Sequence, residues 1–420
     1  MYSADEKIKW ALKRYTPSGG NWPLDYKALV ADFEKEHPNN RRPAVNDANK
    51  ARFTIRRLIR EAFTQELVRI VPTESNLDPR RLNDVEAALQ NRFDSLTNAV
   101  VIRPSLIGVD AMDINALNDS VHRQLSKSVA KLISRNGILR NGDRIGYSSG
   151  RSAYHVAHFL AEDDHHSALR DIELVSLAGR LNPRHYAHSP NLSLDADYNT
   201  QEFAKWFDRD LKGWHLVRHE LVCKDEPTAV AVRRNNAVFG NGLWDKPLDI
   251  AILGIGVLRP GHRMYDIAAF DLNIWPPATE LAPILPDLKG LIALSDKYSS
   301  AEYCPVADVA NHLFTVPPVP PVQIPKREWR RIVDLIARIN GRTLTVSEKH
   351  IQKMKNIIFI SGTRQKCLAA REFLLNHDNV RYFCTDVDSA SHILQADVAS
   401  SAQSKICVSQ SARRNAHKTR

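Results

Sequence analysis

A chain of 420 residues is long enough to bury sizeable cores and to divide into roughly two or three domains. Its 43 % hydrophobic and 25 % charged residues are ordinary for a soluble globular protein, while 58 Lys and Arg against 48 Asp and Glu leave a formal charge of +10, which favours an acidic partner, nucleic acid first. Five cysteines without a C-x-x-C pair (Cys223, Cys304, Cys367, Cys384 and Cys407) indicate neither a zinc module nor a disulfide framework, and the absence of a membrane-length apolar run or signal-like N-terminus predicts a cytoplasmic protein with no membrane partner.

The first 75 residues read as three helices and a strand. Ile8, Ala11, Leu12 and Tyr15 recur at helical spacing and Pro17-Ser18-Gly19-Gly20 ends that helix; Leu24, Leu29, Val30 and Phe33 mark a second, from Pro23 to about Glu36. The third runs from about Asn46 to Gln65, with Phe53, Ile55, Leu58, Ile59 and Ala62 apolar, and the short strand Val68-Arg69-Ile70-Val71 follows it. This is the outline of a winged helix-turn-helix, whose last helix enters the major groove of DNA. Lys50, Arg52, Thr54, Arg56, Arg57 and Arg60 are the candidate DNA-binding residues, dividing into phosphate contacts that set register and base contacts that read sequence. A charged, solvated helix face is the alternative account of the same residues.

A helix from Pro79 to about Arg92, with Leu82, Val85 and Leu89 as its stripe, is expected to connect this domain to the rest over residues 76–97. From residue 98 to 396 strands and helices alternate, which predicts an α/β domain on a largely parallel sheet. The strands are expected at Asn98-Ala99-Val100-Val101-Ile102, Arg144-Ile145-Gly146, Ile172 to Leu177, His215-Leu216-Val217, Asp249 to Gly256, Asn356 to Thr363 and Val380 to Asp386. Helices are expected over 119–136, around 202–211 and over 328–339. Val316 to Val322, interrupted by four prolines, reads as an extended connector, and residues 397–420 as a mobile basic tail.

Gly146-Tyr147-Ser148-Ser149-Gly150-Arg151-Ser152 lies between a strand and a helix. Such a turn presents unpaired backbone N–H groups and the positive end of the helix dipole, which favour an anion such as phosphate. The serine hydroxyls add donors and Arg151 can grip two oxygens at once. A capped helix start explains the same residues, because Ser and Gly are also favoured there for local reasons. Gly254-Ile255-Gly256 lies at the end of another strand, where α/β sheets collect ligands, and that coincidence favours the anion seat. Asn356 to Thr363 repeats the strand-to-glycine-turn pattern, with Lys366 in the first turn of the next helix. Asp163-Asp164-His165-His166 has poor spacing for a metal and reads as an exposed loop; the seven tryptophans, irregularly spaced, read as core or interface.

Together these segments resemble the SorC-type (DeoR/SorC) family of bacterial sugar-responsive transcriptional regulators. Residues 51–70 resemble its recognition helix and wing entry, and 82–101 its helix before the first effector-domain strand. Gly146 to Ser152 is similar to its G-x-(S/T)-x-G-R-(S/T) loop, and Asp249 to Gly256 to D-(I/V)-A-L-x-G-I-G. Ser361 to Lys366 matches A-G-G-x-x-K, and Thr385 to Ala390 matches T-D-E-x-x-A. The resemblance implies a winged helix-turn-helix plus a Rossmann-like effector domain of the phosphosugar isomerase/deaminase type, assembled as a homodimer or homotetramer on double-stranded operator DNA. It implies a phosphorylated sugar or related anionic metabolite as effector, at Ser148, Ser149, Gly150, Arg151, Ser152, Gly254, Gly256, Asp308, Gly362 and Lys366, and no cofactor. The chain departs from the family where an aromatic-acid pair that contacts the sugar falls near Phe314-Thr315, where a second glycine is Thr363 and where a glutamate is Val387.

Two rival classes remain open on the sequence. An enzyme of the isomerase, deaminase or CoA-transferase kind would share the fold, since fold does not decide function, and Asp308, Asp386 and Lys366 are its candidate acid–base groups. Nothing in the sequence pairs them, so no catalytic residue and no metal ligand is assigned. In the other class, a partner-binding protein would use the basic helix as a packing surface. An effector-independent DNA-binding protein is a further alternative.

Overall fold

Short segments, most of them rich in β-branched residues, form the strands among the described residues, and seven of these lie side by side in one parallel sheet. In the computed structural model the order is β1-β9-β8-β5-β2-β3-β4, with β1 Asn98–Ile102, β2 Arg144–Tyr147, β3 Ile172–Ser176, β4 Leu211–His215, β5 Ile250–Val257, β8 Asn356–Ile360 and β9 Val380–Asp386. All six pairings along this path are parallel. Two further strands, β6 Val306–Val309 and β7 His312–Thr315, form an antiparallel hairpin on the outer half of β5. The structure describes residues 79–104, 114–135, 137–162, 167, 169–180, 195–207, 211–240, 243–260, 262, 265, 283–320 and 322–395, all within one compact unit. The predicted winged helix-turn-helix and the basic tail lie outside the described residues.

The helices are α1 Pro79–Arg92, α2 Ile114–Arg135, α3 Arg151–Ala161, α4 Ala196–Ala204, α5 Glu226–Asn235, α6 Leu285–Tyr298, α7 Lys326–Arg342, α8 Glu348–Lys353 and α9 Cys367–Asn376, with a last helix over 387–395. α2, α3 and α4 bury one side of the sheet: Leu125, Val129, Ile133, Val156, Leu160 and Phe203 pack on Ile145, Leu174, Ile252 and Ile358. Each such aliphatic side chain contributes on the order of 1.5–3 kcal/mol by leaving water. α7 presents Ile332, Leu335, Ile336 and Ile339 to the interior, as its apolar spacing requires. Cys223, Cys304, Cys367 and Cys384 are buried free thiols. No described helix is long and apolar enough to cross a membrane.

Two expected elements are displaced. The helix placed around 202–211 is α4, which begins at Ala196 because Asp195 caps it, accepting from the Tyr198 N–H at 2.6 Å. The strand placed at His215-Leu216-Val217 is instead β4, Leu211–His215. It stops at His215 because the next donors are diverted: the Asp197 carboxylate accepts the N–H groups of Val217 and Arg218, both at 2.9 Å. The described residues of the Pro-rich segment, 316–320 and 322, carry neither helix nor strand, as missing N–H groups dictate.

The sheet order contains one reversal. From β2 the chain steps outward to β3 and β4, then returns to place β5 on the other side of β2. In doubly wound sheets ligands bind outside the carboxyl ends of the strands flanking such a point. Here those ends carry Ser148 to Ser152 after β2 and Gly254 to Gly256 within β5.

Candidate anion-binding site

β2 ends in Tyr147, fully buried, whose hydroxyl donates to the Ala153 carbonyl at 2.9 Å and whose ring lies 4.8 Å from that of Phe203. This anchors the turn that follows. The Ser148 N–H still pairs with Ile252 on β5 at 3.2 Å. Gly150 then adopts φ 104°, ψ 168°, a conformation essentially confined to glycine, and α3 starts at Arg151. The first intrahelical bond is from the Tyr154 N–H to the Gly150 carbonyl, 3.0 Å. No side chain caps the helix, so helical geometry leaves the N–H groups of Arg151, Ser152 and Ala153 without an intrahelical acceptor.

The acceptors of the same turn are occupied from behind. The amide of fully buried Asn199, on α4, donates to the carbonyls of Ser148 (3.1 Å) and Gly150 (3.3 Å). Carbonyls held in this way by a side-chain amide are less open to a cation, while the start of a helix whose dipole points at the turn suits an anion.

The Ser361 to Lys366 turn reaches this place from β8, the other neighbour of β5. A side chain at Gly362 would collide with Leu125 and Val121 of α2, so glycine is what lets the turn pack against that helix. Thr363, at the family's second glycine position, takes φ 78° without being glycine; its N–H is held at 2.8 Å by the Asp386 carboxylate. Lys366 closes a short 3₁₀ turn and flanks the N-terminus of α9 rather than lying within its first turn. Its side chain is 5 % exposed.

Lys366 Nζ lies 3.0 Å from Nε2 of His122, and Nδ1 of His122 lies 2.9 Å from the Ser152 hydroxyl. One imidazole therefore joins the glycine turn after β8 to the helix start after β2. The Ser126 hydroxyl, one turn beyond His122 on α2, donates to the carbonyls of His122 (2.7 Å) and Ser152 (2.9 Å), pinning the two helices together. Burial, reinforced by the charge of Arg151 and opposed by Asp308 and Asp386, lowers the Lys366 ammonium to about 7. Burial, with Lys366 and Arg151 nearby, holds His122 well below the usual histidine range, and His262 likewise. His262 Nε2 meets Gln365 Oε1 at 3.1 Å.

Asp308 enters from the β6 hairpin, opposite Gly256 in the β5–β6 ladder. A side chain at 256 would overlap its carboxylate, whereas one at Gly254 would meet only the Ser152 Cβ, at 3.8 Å. Asp386 is occupied as a helix cap: it accepts from the N–H groups of Asp388 (3.1 Å) and Ser389 (3.0 Å) and from the Ser389 hydroxyl (2.7 Å). Buried hydroxyls of Ser361 and Thr385, beside these groups in sequence, have no partner among the described residues. Phe314 lies on β7 and faces the ring of Phe373, 6.2 Å away.

The geometry thus brings the loop Ser148 to Ser152, the β5 glycines, Asp308 and the Gly362 to Lys366 turn to the carboxyl ends of adjacent strands. Lys50, Arg52, Thr54, Arg56, Arg57 and Arg60 lie outside the described residues, as do His165 and His166. Sequence reasoning missed His122, Asn199, His262 and Gln365. His122 had one legible signal: with Ser126 it forms an i, i+4 polar pair beside the apolar series Val121, Leu125, Val129, and a buried helix face carries such a pair only with partners.

No protein-family model and no curated protein matches the chain. Solved structures do. A transcriptional regulator from Streptococcus pneumoniae TIGR4 aligns with a TM-score of 0.51 at 15 % identity, over 76 % of this chain and 98 % of its own. A DeoR family transcriptional regulator from Listeria monocytogenes aligns with a TM-score of 0.50 at 15 % identity, over 74 % of this chain and 99 % of its own. The full-length sorbitol operon regulator SorC from Klebsiella pneumoniae aligns at 0.49 and 17 % identity, over 88 % and 99 %. A DeoR family regulator and a second transcriptional regulator are therefore among the solved structures that this chain resembles, and the likeness is one of fold.

Proposed function

We propose that the chain is a DNA-binding transcriptional regulator whose operator affinity changes when a phosphorylated sugar or another small anionic metabolite binds beyond β2, β5 and β8. The observation that carries this is the bridge from Lys366 through His122 to Ser152, which joins a buried cation to uncapped helix amides at the sheet's reversal. The likeness in fold to solved transcriptional regulators supports the regulatory half of the reading. In it, Ser148 to Ser152 and Lys366 hold the phosphate, Gly254 lies beside Ser152, Gly256 and Gly362 make room for Asp308 and for the α2 side chains that shape the site, and Asp308 holds a ligand hydroxyl or the Lys366 charge. DNA is read by Lys50, Arg52, Thr54, Arg56, Arg57 and Arg60, and the active species is a homodimer or homotetramer. Effector binding shifts operator affinity to the extent that it favours one quaternary arrangement over another, and a few kcal/mol suffice.

Against an enzymatic reading stands the engagement of one of its candidate acid–base groups: Asp386 is held as a helix cap by the N–H groups of Asp388 and Ser389 and by the Ser389 hydroxyl. A gel-shift titration with DNA upstream of the gene tests the proposal: binding should fall steeply with salt and change on adding sugar phosphates. The double change Arg52→Ala and Arg57→Ala should abolish binding, and Ser149→Ala with Arg151→Ala should abolish the response while leaving DNA binding. Salt-insensitive binding, or turnover of a sugar phosphate, would replace this reading with the partner-binding or the enzymatic one.

A further inference from the structure

We propose that Lys366, His122 and Ser152 form a proton-linked relay: an acceptor-only dianion enters the site together with one proton, and His122 turns the Ser152 hydroxyl hydrogen toward it. The inference rests on the anion seat described above and adds how that seat is regulated and what it selects.

The argument begins with hydrogens. A neutral imidazole carries one N–H and one lone pair, and both nitrogens of His122 are engaged. An ammonium has donors only. When Lys366 is charged, Nε2 of His122 must accept, so Nδ1 carries the hydrogen and donates to the Ser152 oxygen. The Ser152 hydroxyl hydrogen is then released from His122 and is available to a ligand at the start of α3. When Lys366 is a neutral amine, Nε2 can carry the hydrogen, Nδ1 accepts from Ser152, and the seat loses that donor. The charge on Lys366 is thereby transmitted across two hydrogen bonds to a serine whose Cα is on another helix.

The surroundings poise this switch. Lys366, His122 and Ser152 are 5 %, 3 % and 7 % exposed, so water does not buffer the change. Facing Lys366 are His122 from α2, Arg151 from α3, His262 beyond β5, Asp308 from β6 and Asp386 from the end of β9. The charge of His155 on α3 also acts on His122, and His155 pairs with Asp119 at 3.6 Å. Burial and Arg151 oppose the ammonium while the two aspartates support it, and the outcome, about 7, lies at neutrality. A dianion adds the missing negative charge and draws a proton onto Lys366. Ser126 holds the backbones of His122 and Ser152 in place throughout, so the hydrogens move while the heavy atoms stay. A charged Lys366 also denies Ser152 a base, because the His122 lone pair then faces the lysine. The relay thus favours ligands that bring acceptors only, the fully ionised phosphate ester or sulfate, over neutral hydroxyl compounds.

Sulfate is the decisive probe, since it carries no proton between pH 6 and 8. Isothermal titration of the full chain with sulfate in buffers of different ionisation enthalpy counts the protons taken up. The expected result is close to one proton per sulfate at pH 8, close to none at pH 6, and affinity falling toward tenfold per pH unit above 7. Lys366→Met should take up none at either pH. Ser152→Ala should weaken sulfate about tenfold in the wild-type background and have no further effect on His122→Phe, because the two act as one unit. Sulfate binding without proton uptake at pH 8, or additive losses in the double variant, would overturn the relay and leave the seat standing. No binding of sulfate or inorganic phosphate to the wild-type chain would overturn the seat, and the relay with it.

Discussion

Asp308 and Gly256 oppose each other across the β5–β6 ladder so closely that the carboxylate fills the space a side chain at 256 would need. The glycine is therefore part of how Asp308 is brought toward Lys366. Gly256→Ala should cost about 1 kcal/mol, the low end of overpacking, because a carboxylate swings aside more readily than backbone. The larger effect should be on the site, where a displaced Asp308 no longer supports the Lys366 charge and sulfate affinity falls. Gly254→Ala, whose new methyl meets only ordinary contact at 3.8 Å, should leave both nearly unchanged. Urea unfolding and sulfate titration of the two variants check this, and equal behaviour would refute it.

Gly150 separates torsion from space. Nothing lies within 4 Å of a Cβ built there, yet its φ is 104°. Gly150→Ala should therefore destabilise by on the order of 1–3 kcal/mol through backbone strain alone. Relaxing that strain turns the amides of Arg151 and Ser152, so anion affinity should fall more than stability does. A calorimetric melt beside a sulfate titration measures both, and unaltered affinity would mean that the turn does not hold the anion.

Lys366 should be a stability liability. Its folded value, about 7, lies below the ordinary 10.5, so between these the unfolded chain binds more protons and stability rises with pH. Below pH 7 the whole cost of burying the amine is present. Lys366→Met, similar in length and apolar, should be more stable than wild type by on the order of a few kcal/mol at pH 6, with the difference shrinking toward pH 10. The same variant should bind sulfate more weakly. Denaturant unfolding at the two pH values decides, and a variant less stable at pH 6 would contradict the assignment.

A second pair of histidines sets the acid limit. Burial lowers His312 and His350 to about 4, so the folded state resists protons that the unfolded chain binds from pH 6.5 downward. Their contribution is complete above 6.5 and is lost as pH falls toward 4. Discounted for partial solvation, the loss should be on the order of 2 kcal/mol per histidine. His312→Gln with His350→Gln should flatten the stability profile between pH 6.5 and 4, measured by urea unfolding, and an unchanged slope would assign the acid sensitivity elsewhere.

Much of this domain was legible because its signals are local. The apolar run Ile250-Ala251-Ile252-Leu253, short and followed by glycine, reads as a buried strand, and the Pro79 helix follows from the spacing of Leu82, Val85 and Leu89. The misplaced boundary at His215 shows where locality ends: Asp197, some twenty residues away, takes the amides that would have continued the strand. The expectation of a winged helix-turn-helix rests on the sequence alone, on the apolar series Phe53, Ile55, Leu58, Ile59 and the basic residues between them.

The site divides along the same line. The sequence by itself determined which turns carry the glycines, hydroxyls and cations: Ser148 to Ser152, Gly254 to Gly256 and Gly362 to Lys366 announce themselves by residue type, because only such residues permit a sharp turn with exposed amides. It did not determine that these turns meet, nor what passes between them. The tertiary structure decided that β5 lies beside both β2 and β8, that Asn199 claims the carbonyls of the first turn, and that His122 stands within hydrogen-bond reach of Lys366, 244 residues away. A histidine on an amphipathic helix has no functional signature until its neighbours are known, since its role is set by which groups hold its two nitrogens.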